Sequence, residues 1–311
     1  MGTDTKEYDD KISRVLAQVP DFELGGAEWQ WLSGGGAHKN FLATSGDRAS
    51  KCVVKLWNLE LEQIGLIPPS PVVMENTRMA GEFGIGAKVL AVVQEPLSLV
   101  LEYIPGSELE GNSDEDIIKI ASAARNLHDS KIKFYRDFNP FAEARVMLAA
   151  GYQRQVPFPE GFESTRSTLD QIESVLDLRP NQYVPCHNDL YSPNIICTSD
   201  GQLRLIDYDL SGNGDRCYDL GFISTYSKYN LDQTGKLVES YFGKTDRKLL
   251  ARVHLFAIAA DYSTLALWLA LQAVADTNDD YDYAGYMQAS WEGMCAKIDD
   301  QEFGSRLELC K

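Results

Sequence analysis

No two cysteines in this chain stand close enough in sequence to form a metal or redox pair. Cys52, Cys186, Cys197, Cys217, Cys295 and Cys310 are scattered singly, so neither a zinc site nor a disulfide framework is expected, and they read as reduced thiols. Basic residues are also scarce, with 29 Lys and Arg against 46 Asp and Glu and a formal charge of -17. A surface of that sign does not displace counterions from a nucleic acid, whereas cationic ligands suit it. The plainer account is that acidity keeps the protein dispersed. The opening residues Met1-Gly2-Thr3-Asp4-Thr5-Lys6 lack the basic start of an export signal, and Lys6 stands where a myristoylation motif has Ser or Thr. A cytoplasmic protein is therefore expected. The apolar run from Val253 to Ala275 contains Asp261, has His254 and Gln272 near its ends and lacks a basic flank. It reads as a buried core helix and not as a membrane span.

What is present is enough for a substantial core: 44% of the 311 residues are hydrophobic. Ile12, Val15, Leu16 and Val19 are at helical spacing before Pro20. Two strand-like runs, near Trp29 to Leu32 and Lys51 to Trp57, flank Gly34, Gly35 and Gly36, which predicts strand, glycine loop, strand. A helix is predicted over Val72 to Phe83, ended by Gly84 and Gly86, and strands over Ala87 to Val93 and Ser98 to Tyr103. Beyond Pro105-Gly106 the patterning is mostly helical, with segments near 114–128, 141–150, 163–178, 233–242, 246–275 and 284–298 and a strand-rich stretch at about 183–207. The predicted class is α+β, with a nucleotide-binding sheet lobe over residues 1–104 and a larger, mainly helical catalytic and substrate-binding lobe over 105–311.

The most informative stretch is Cys186-His187-Asn188-Asp189-Leu190-Tyr191-Ser192-Pro193-Asn194, followed by Leu205-Ile206-Asp207-Tyr208-Asp209. Transfer of a phosphoryl group from ATP needs a carboxylate to orient the attacking hydroxyl and take its proton. It also needs an amide oxygen and a second carboxylate to hold Mg²⁺ against the phosphates. Asp189 is the candidate base, and Asn194 and Asp207 are the candidate metal ligands. Lys55 lies in the apolar strand Val53-Val54-Lys55-Leu56, where a buried charge requires an anion such as the α and β phosphates; a lysine snorkelling from an edge strand is the bland alternative. Gly34, Gly35 and Gly36 would let backbone N–H groups approach phosphate oxygens. Glu75, with Glu82 as its competitor on the same helix, is the candidate partner that keeps Lys55 extended. Glu102 and Ile104, at the end of an apolar strand, would offer backbone groups to adenine. Asp209 stands two residues from Asp207, so in an extended strand the two would face one way, and Asp209 could serve metal or cationic substrate. Asp219 either caps a following helix or braces the catalytic loop through a backbone N–H.

Taken in order, these residues, together with Tyr218-Asp219-Leu220-Gly221, resemble the choline and ethanolamine kinases, within the superfamily that also holds aminoglycoside phosphotransferases. The similarity runs from about Leu32 to Met287. The resemblance implies a two-lobed protein-kinase-like fold, ATP and Mg²⁺ as cofactors, and phosphorylation of a small cationic alcohol. It also implies no nucleic-acid or membrane partner and leaves the oligomeric state open, a dimer being one option. By the same match, Trp268, Tyr283 and Tyr286 would line a cage for the ammonium group, where each aromatic face adds roughly 0.5–2 kcal/mol. Trp268 as plain core is the alternative. The chain departs from the family at Leu265, where a second tryptophan is usual, at Tyr226, near a usual acid, and at His38, where the glycine loop usually has asparagine. Two further readings stand beside this one. An aminoglycoside acceptor could be met by the acidic stretch Asp276 to Asp282, and a nucleotide-binding pseudokinase would lack turnover.

Overall fold

A computed structural model describes residues 8–32, 37–274 and 282–311. The chain divides into two compact units: residues up to Ser107 joined by Ile196–Asp209, and Glu108–Ile195 joined by Leu210–Lys311.

The first unit is built on a five-stranded antiparallel sheet. Its strands β1 (Glu28–Leu32), β2 (Lys39–Thr44), β3 (Lys51–Leu56), β4 (Val89–Gln94) and β5 (Leu97–Glu102) lie in the order β1-β2-β3-β5-β4. Helix α1 (Asp9–Leu16) covers one face. Its Ile12, Val15 and Leu16 pack with Phe41, Ala43, Cys52, Val54, Leu56, Val93 and Val100, and its Asp9 accepts the indole N–H of Trp29 at 3.0 Å. Strand β2 is one element that the sequence reading passed over. In sequence the glycine cluster falls between β1 and β2, and a turn at Ser45–Ser50, closed by the Ser45 N–H on the Ser50 carbonyl at 2.9 Å, leads into β3. Short α2 (Leu59–Gln63) precedes α3 (Ser70–Phe83), which begins two residues earlier than expected. Pro69 and Pro71 fit its first turn because N–H groups there have no helical partner to lose.

The returning segment Ile196–Asp209 is the one feature that a single division near residue 104 misplaces. It carries most of β8 (Ile195–Cys197) and all of β9 (Leu203–Leu205), and it is tied to the first unit by Leu205 N–H on the Ile85 carbonyl at 2.9 Å and by Arg204 on Glu102 at 3.1 Å.

The second unit is mainly helical: β6 (Ser107–Glu108) leads in, followed by α4 (Asp114–His128), α5 (Pro140–Gln153) and α6 (Phe162–Leu176). Strand β7 (Val184–Cys186) pairs antiparallel with β10 (Gly212–Gly214), and α7 (Arg216–Tyr226), α8 (Leu231–Phe242), α9 (Arg247–Val274), α10 (Tyr283–Ile298) and α11 (Phe303–Cys310) complete it. Helix α7 has no apolar stripe to read, since every residue from Cys217 to Ser224 is buried. It approaches α9 so closely that a Cβ at Gly221 would lie 2.7 Å from the Ala257 nitrogen.

Helix α9 has the length and apolarity of a membrane span, but 78% of its most apolar window is buried, and α5, α7, α10 and α11 pack around it. Its buried acid Asp261 is met from α10 by Lys297 at 2.6 Å, and Gly293 supplies the room for that approach. Burial nevertheless outweighs Lys297 and pushes the Asp261 carboxyl up to about 6 from 3.8. A carboxyl raised in the folded state costs stability as pH climbs from the unfolded value towards the folded one, here from about 4 to about 6, and the cost then levels off at about 3 kcal/mol. Asp261→Asn should therefore match the natural protein near pH 4 and exceed it in urea-unfolding stability above pH 6. A difference independent of pH would refute this electrostatic account.

Candidate functional site

In the first unit the sheet delivers one charge to a buried position. Strand β3 is central, with Lys55 opposite Asn40 of β2 and Leu99 of β5. Alternation sends Val54 and Leu56 towards α1 and Lys55 to the other face. Its ammonium donates to Asp207 Oδ1 and to Asp209 Oδ1, each at 2.8 Å. The partner of Lys55 is thus the acidic pair after β9 and not a glutamate of α3. Glu75 is engaged instead by Arg78, whose Nε donates to it at 2.8 Å, and Glu82 is also paired with Arg78. About two turns of one helix face place these three residues together, while Lys55 is buried and draws on two opposite charges.

The two aspartates do not converge by lying on an extended strand. Asp207 has φ +67°, so the backbone turns just past β9, and that turn aims both carboxylates at one ammonium. Burial alone would lift both carboxyl groups. The Lys55 ammonium wins at Asp207, which is held below the usual range, whereas at Asp209 the charge of Asp207 adds to burial and pushes it up. Burial likewise opposes charge on Lys55, but the two carboxylates keep it protonated.

His38, placed just ahead of β2, completes this cluster. Its Nδ1 accepts the Asn58 N–H at 3.1 Å, its Nε2 lies 3.3 Å from Asp209 Oδ2, and its ring lies 4.0 Å from that of Trp57. Burial, helped by the Lys55 charge, lowers its pKa to about 3, so the imidazole is neutral. Gly34, Gly35 and Gly36 lie outside the described residues. Glu102 closes β5 with its N–H on the Lys88 carbonyl at 2.9 Å, and Ile104 follows in an irregular stretch before β6.

In the second unit the loop after β7 carries the other candidates. Asn194 Nδ2 donates to the Asp189 carbonyl at 2.9 Å and to Asp189 Oδ2 at 2.8 Å. The opposite end of that amide, its carbonyl oxygen, is the atom a hard cation takes. The loop is pinned from beneath. Asp219 Oδ1 accepts Asn188 N–H at 2.7 Å, and Asp219 Oδ2 accepts His187 N–H at 2.8 Å and lies 2.9 Å from His128 Nε2. Asp219 sits inside α7 and so does not cap it; Asp215 is the cap, accepting Cys217 N–H at 2.9 Å. Burial works against the charge of Asp219, but the His128 hydrogen bond and the loop N–H groups hold its carboxyl below the usual range. His128, Cys186 and Asp219 are close enough together to resemble a metal site, yet the carboxylate already serves three donors and the Cys186 thiol is pushed well up by burial. The cluster therefore reads as a brace.

The three aromatic candidates are brought together between α9 and α10. Trp268 stacks on Tyr286, with ring centroids 4.9 Å apart, and meets Tyr283 at 6.2 Å. Tyr283 is buried, Trp268 is half-buried and Tyr286 is 48% exposed. Of the acidic stretch near them, residues 276–281 lie outside the described residues.

Sequence reasoning registered His38 only as a departure and overlooked His128. The signal for His128 was present: it continues the apolar face of α4 marked by Ile117, Ile120, Ala121 and Ala124, and a histidine there needs an internal partner. His38 carried no such signal, because its partners are 20 and 171 residues away in sequence.

Residues 32–256 match the model of a family described as the phosphotransferase enzyme family. A solved choline/ethanolamine kinase family protein from Mesorhizobium loti is 23% identical with a TM-score of 0.75, covering 97% of this chain and 98% of that one. The choline kinase LicA from Streptococcus pneumoniae is 22% identical with a TM-score of 0.71, covering 94% and 98%. Protein LicA from Haemophilus influenzae is 24% identical over 146 residues, 45% of this chain and 52% of that protein. The chain spans about half the length of the curated relatives it matches. The likenesses establish the expected α+β, protein-kinase-like fold.

The brace gives a test of its own. Asp219→Ala would leave two buried N–H groups and His128 without their acceptor and should cost about 3–5 kcal/mol of stability in chemical unfolding. A loss below about 1 kcal/mol would remove Asp219 from the support of the loop.

Proposed function

The chain belongs to the phosphotransferase enzyme family, and from that premise we propose that it moves the terminal phosphoryl group of ATP to the hydroxyl of a small amino alcohol of the choline or ethanolamine kind. The observation that carries this reading is Lys55, an ammonium enclosed in a sheet and matched by two carboxylates on a turn. With both aspartates ionised the three groups leave one net negative charge in a buried place, the form that a divalent cation would favour. The proposed metal ligands, Asp207 and Asn194, present oxygen only, the donor set that Mg²⁺ prefers. When bound, Mg²⁺ supplies charge neutralisation at the phosphate oxygens.

The chain's own residues have these proposed tasks. Lys55 holds the α and β phosphates. The glycine segment, Gly34 to Gly36, offers N–H groups to phosphate oxygens, and Glu102 and Ile104 present backbone groups to the adenine. Asp189 orients the acceptor hydroxyl and takes its proton. Asn194 keeps the Asp189 carboxylate in place through the hydrogen bond at 2.8 Å.

Support for an amino alcohol as acceptor comes from the stacked Trp268 and Tyr286, backed by the buried Tyr283, because partly exposed aromatic rings hold an alkylammonium group by its charge and its methyl surface. It also comes from the choline kinase and the choline/ethanolamine kinase family protein among the structural likenesses. A localisation in the cytoplasm suits such an enzyme.

ADP release from the purified protein with Mg²⁺ should respond to choline or ethanolamine in a panel that also holds thiamine, homoserine and aminoglycosides. A response to an aminoglycoside alone would keep the phosphotransferase and discard the amino alcohol. Asp189→Ala should lower turnover by about a thousandfold while nucleotide affinity stays within about threefold; an unchanged rate would exclude it as the base. Trp268→Ala should raise the acceptor KM by about tenfold and leave that for ATP alone. Equal effects on both would mean that the tryptophan is core.

A further inference from the structure

We infer that Arg204 is a positioning residue for the nucleobase: its guanidinium clasps the end of β5 and thereby fixes the stretch from Glu102 to Gly106, whose backbone is proposed above to meet adenine. For the ligand, this inference rests on that proposed function. The clasp itself lies wholly within the first unit.

The stretch needs anchors, because Tyr103 to Pro105 belongs to no helix or strand. Backbone outside a ladder opens easily, whereas a ring recognised by backbone groups binds well only if those groups are already in place. At its start, the Glu102 N–H is held by the Lys88 carbonyl at 2.9 Å. At its finish, Gly106 is pressed against the main chain of β8, where a Cβ would stand 2.5 Å from the Cys197 carbonyl oxygen. Arg204, on β9, adds the side-chain hold. Its Nη2 carries two N–H groups, and they go to the Gly86 carbonyl and to Glu102 Oε1, the latter at 3.1 Å. Gly86 lies in the turn between α3 and β4. One nitrogen thus ties the end of β5 to that turn and to the segment that also supplies the anchor at Gly106.

Packing alone does not account for an arginine here. Its Nε is buried without a partner, a cost that an apolar side chain would avoid, so what this residue gains lies at Nη2. The pair is also withdrawn from water, with side chains 23% and 27% exposed, which makes it stronger than an ion pair in open solvent. The Glu102 carboxylate is therefore spent on Arg204, and it is the backbone of this stretch that remains for a ligand.

Replacing the acceptor separates this role from simple packing. Glu102→Gln keeps an oxygen for the Nη2 N–H, Glu102→Ala has none, and Arg204→Met keeps much of the stem and removes the donor. ADP affinity is measured by calorimetry for each variant and for the double variant Arg204→Met with Glu102→Ala. The expected result is a loss on the order of tenfold in Glu102→Ala and in Arg204→Met, recovery of most of it in Glu102→Gln, and no further loss in the double variant. Natural affinity in Glu102→Ala, an equal loss in Glu102→Gln, or a double variant that sums the two losses would overturn the inference. If Arg204→Met does not fold, the two Glu102 variants give the same decision. A natural protein that binds no ADP would overturn the nucleotide reading itself. Hydrogen exchange of the Tyr103, Ile104 and Gly106 amides in the unliganded protein then decides about the clasp separately: exchange about tenfold faster in Glu102→Ala than in the natural protein and in Glu102→Gln is expected, and equal rates refute it.

Discussion

An ammonium group inside a protein is unfavourable by several kcal/mol unless opposite charge and hydrogen bonds surround it, and the first unit is arranged around one such group. Lys55 is central because β3 is central, with β2 on one side and β5 on the other. The apolar residues beside it in sequence fill the core under α1, which leaves the lysine the opposite face. Once there, it needs carboxylates, and the chain brings them from 152 and 154 residues away. That need accounts for the return of Ile196–Asp209 to a unit whose other residues end at Ser107.

The second unit uses the reverse device, a buried carboxylate that holds backbone instead of an ammonium. Asp219 gathers the N–H groups of His187 and Asn188 and the ring of His128, whose other nitrogen meets the Tyr241 hydroxyl at 2.7 Å. The loop carrying Asp189 and Asn194 is thereby fixed from its buried side, and its reactive groups need not support themselves. Both units also hold a residue in the left-handed region at the decisive turn, Asn188 at φ +65° and Asp207 at φ +67°. Asn and Asp tolerate that region better than other non-glycine residues, and such a conformation persists where its surroundings impose it. The chemistry-bearing side chains follow those turns directly.

Much of this could be read before any coordinates. The apolar period of α1, the proline and glycine limits of α3 and the apolar runs of β3 and β5 are local, so the residues that decide them are neighbours. The acidic loop segments carry a spacing that points to phosphoryl transfer, since base, amide and second carboxylate recur at short intervals. Elements with weak or uniform patterning were lost: β2 shows only two buried side chains, Phe41 and Ala43, that alternate with partly exposed ones, and α7 is buried all round.

The sequence by itself determined which residue types are available for the chemistry, where most helices and strands lie, and that a charged residue interrupts the long apolar helix. Only the tertiary structure decided which charges meet: Lys55 with Asp207 and Asp209 and not with Glu75, Asp261 with Lys297, and Asp219 with the loop N–H groups and not with the start of its own helix. Helical and strand periods are set by backbone geometry that repeats every few residues. A buried charge takes its partner from whatever part of the chain the packing of apolar faces brings within about 3 Å, and nothing in the neighbouring residues encodes that distance.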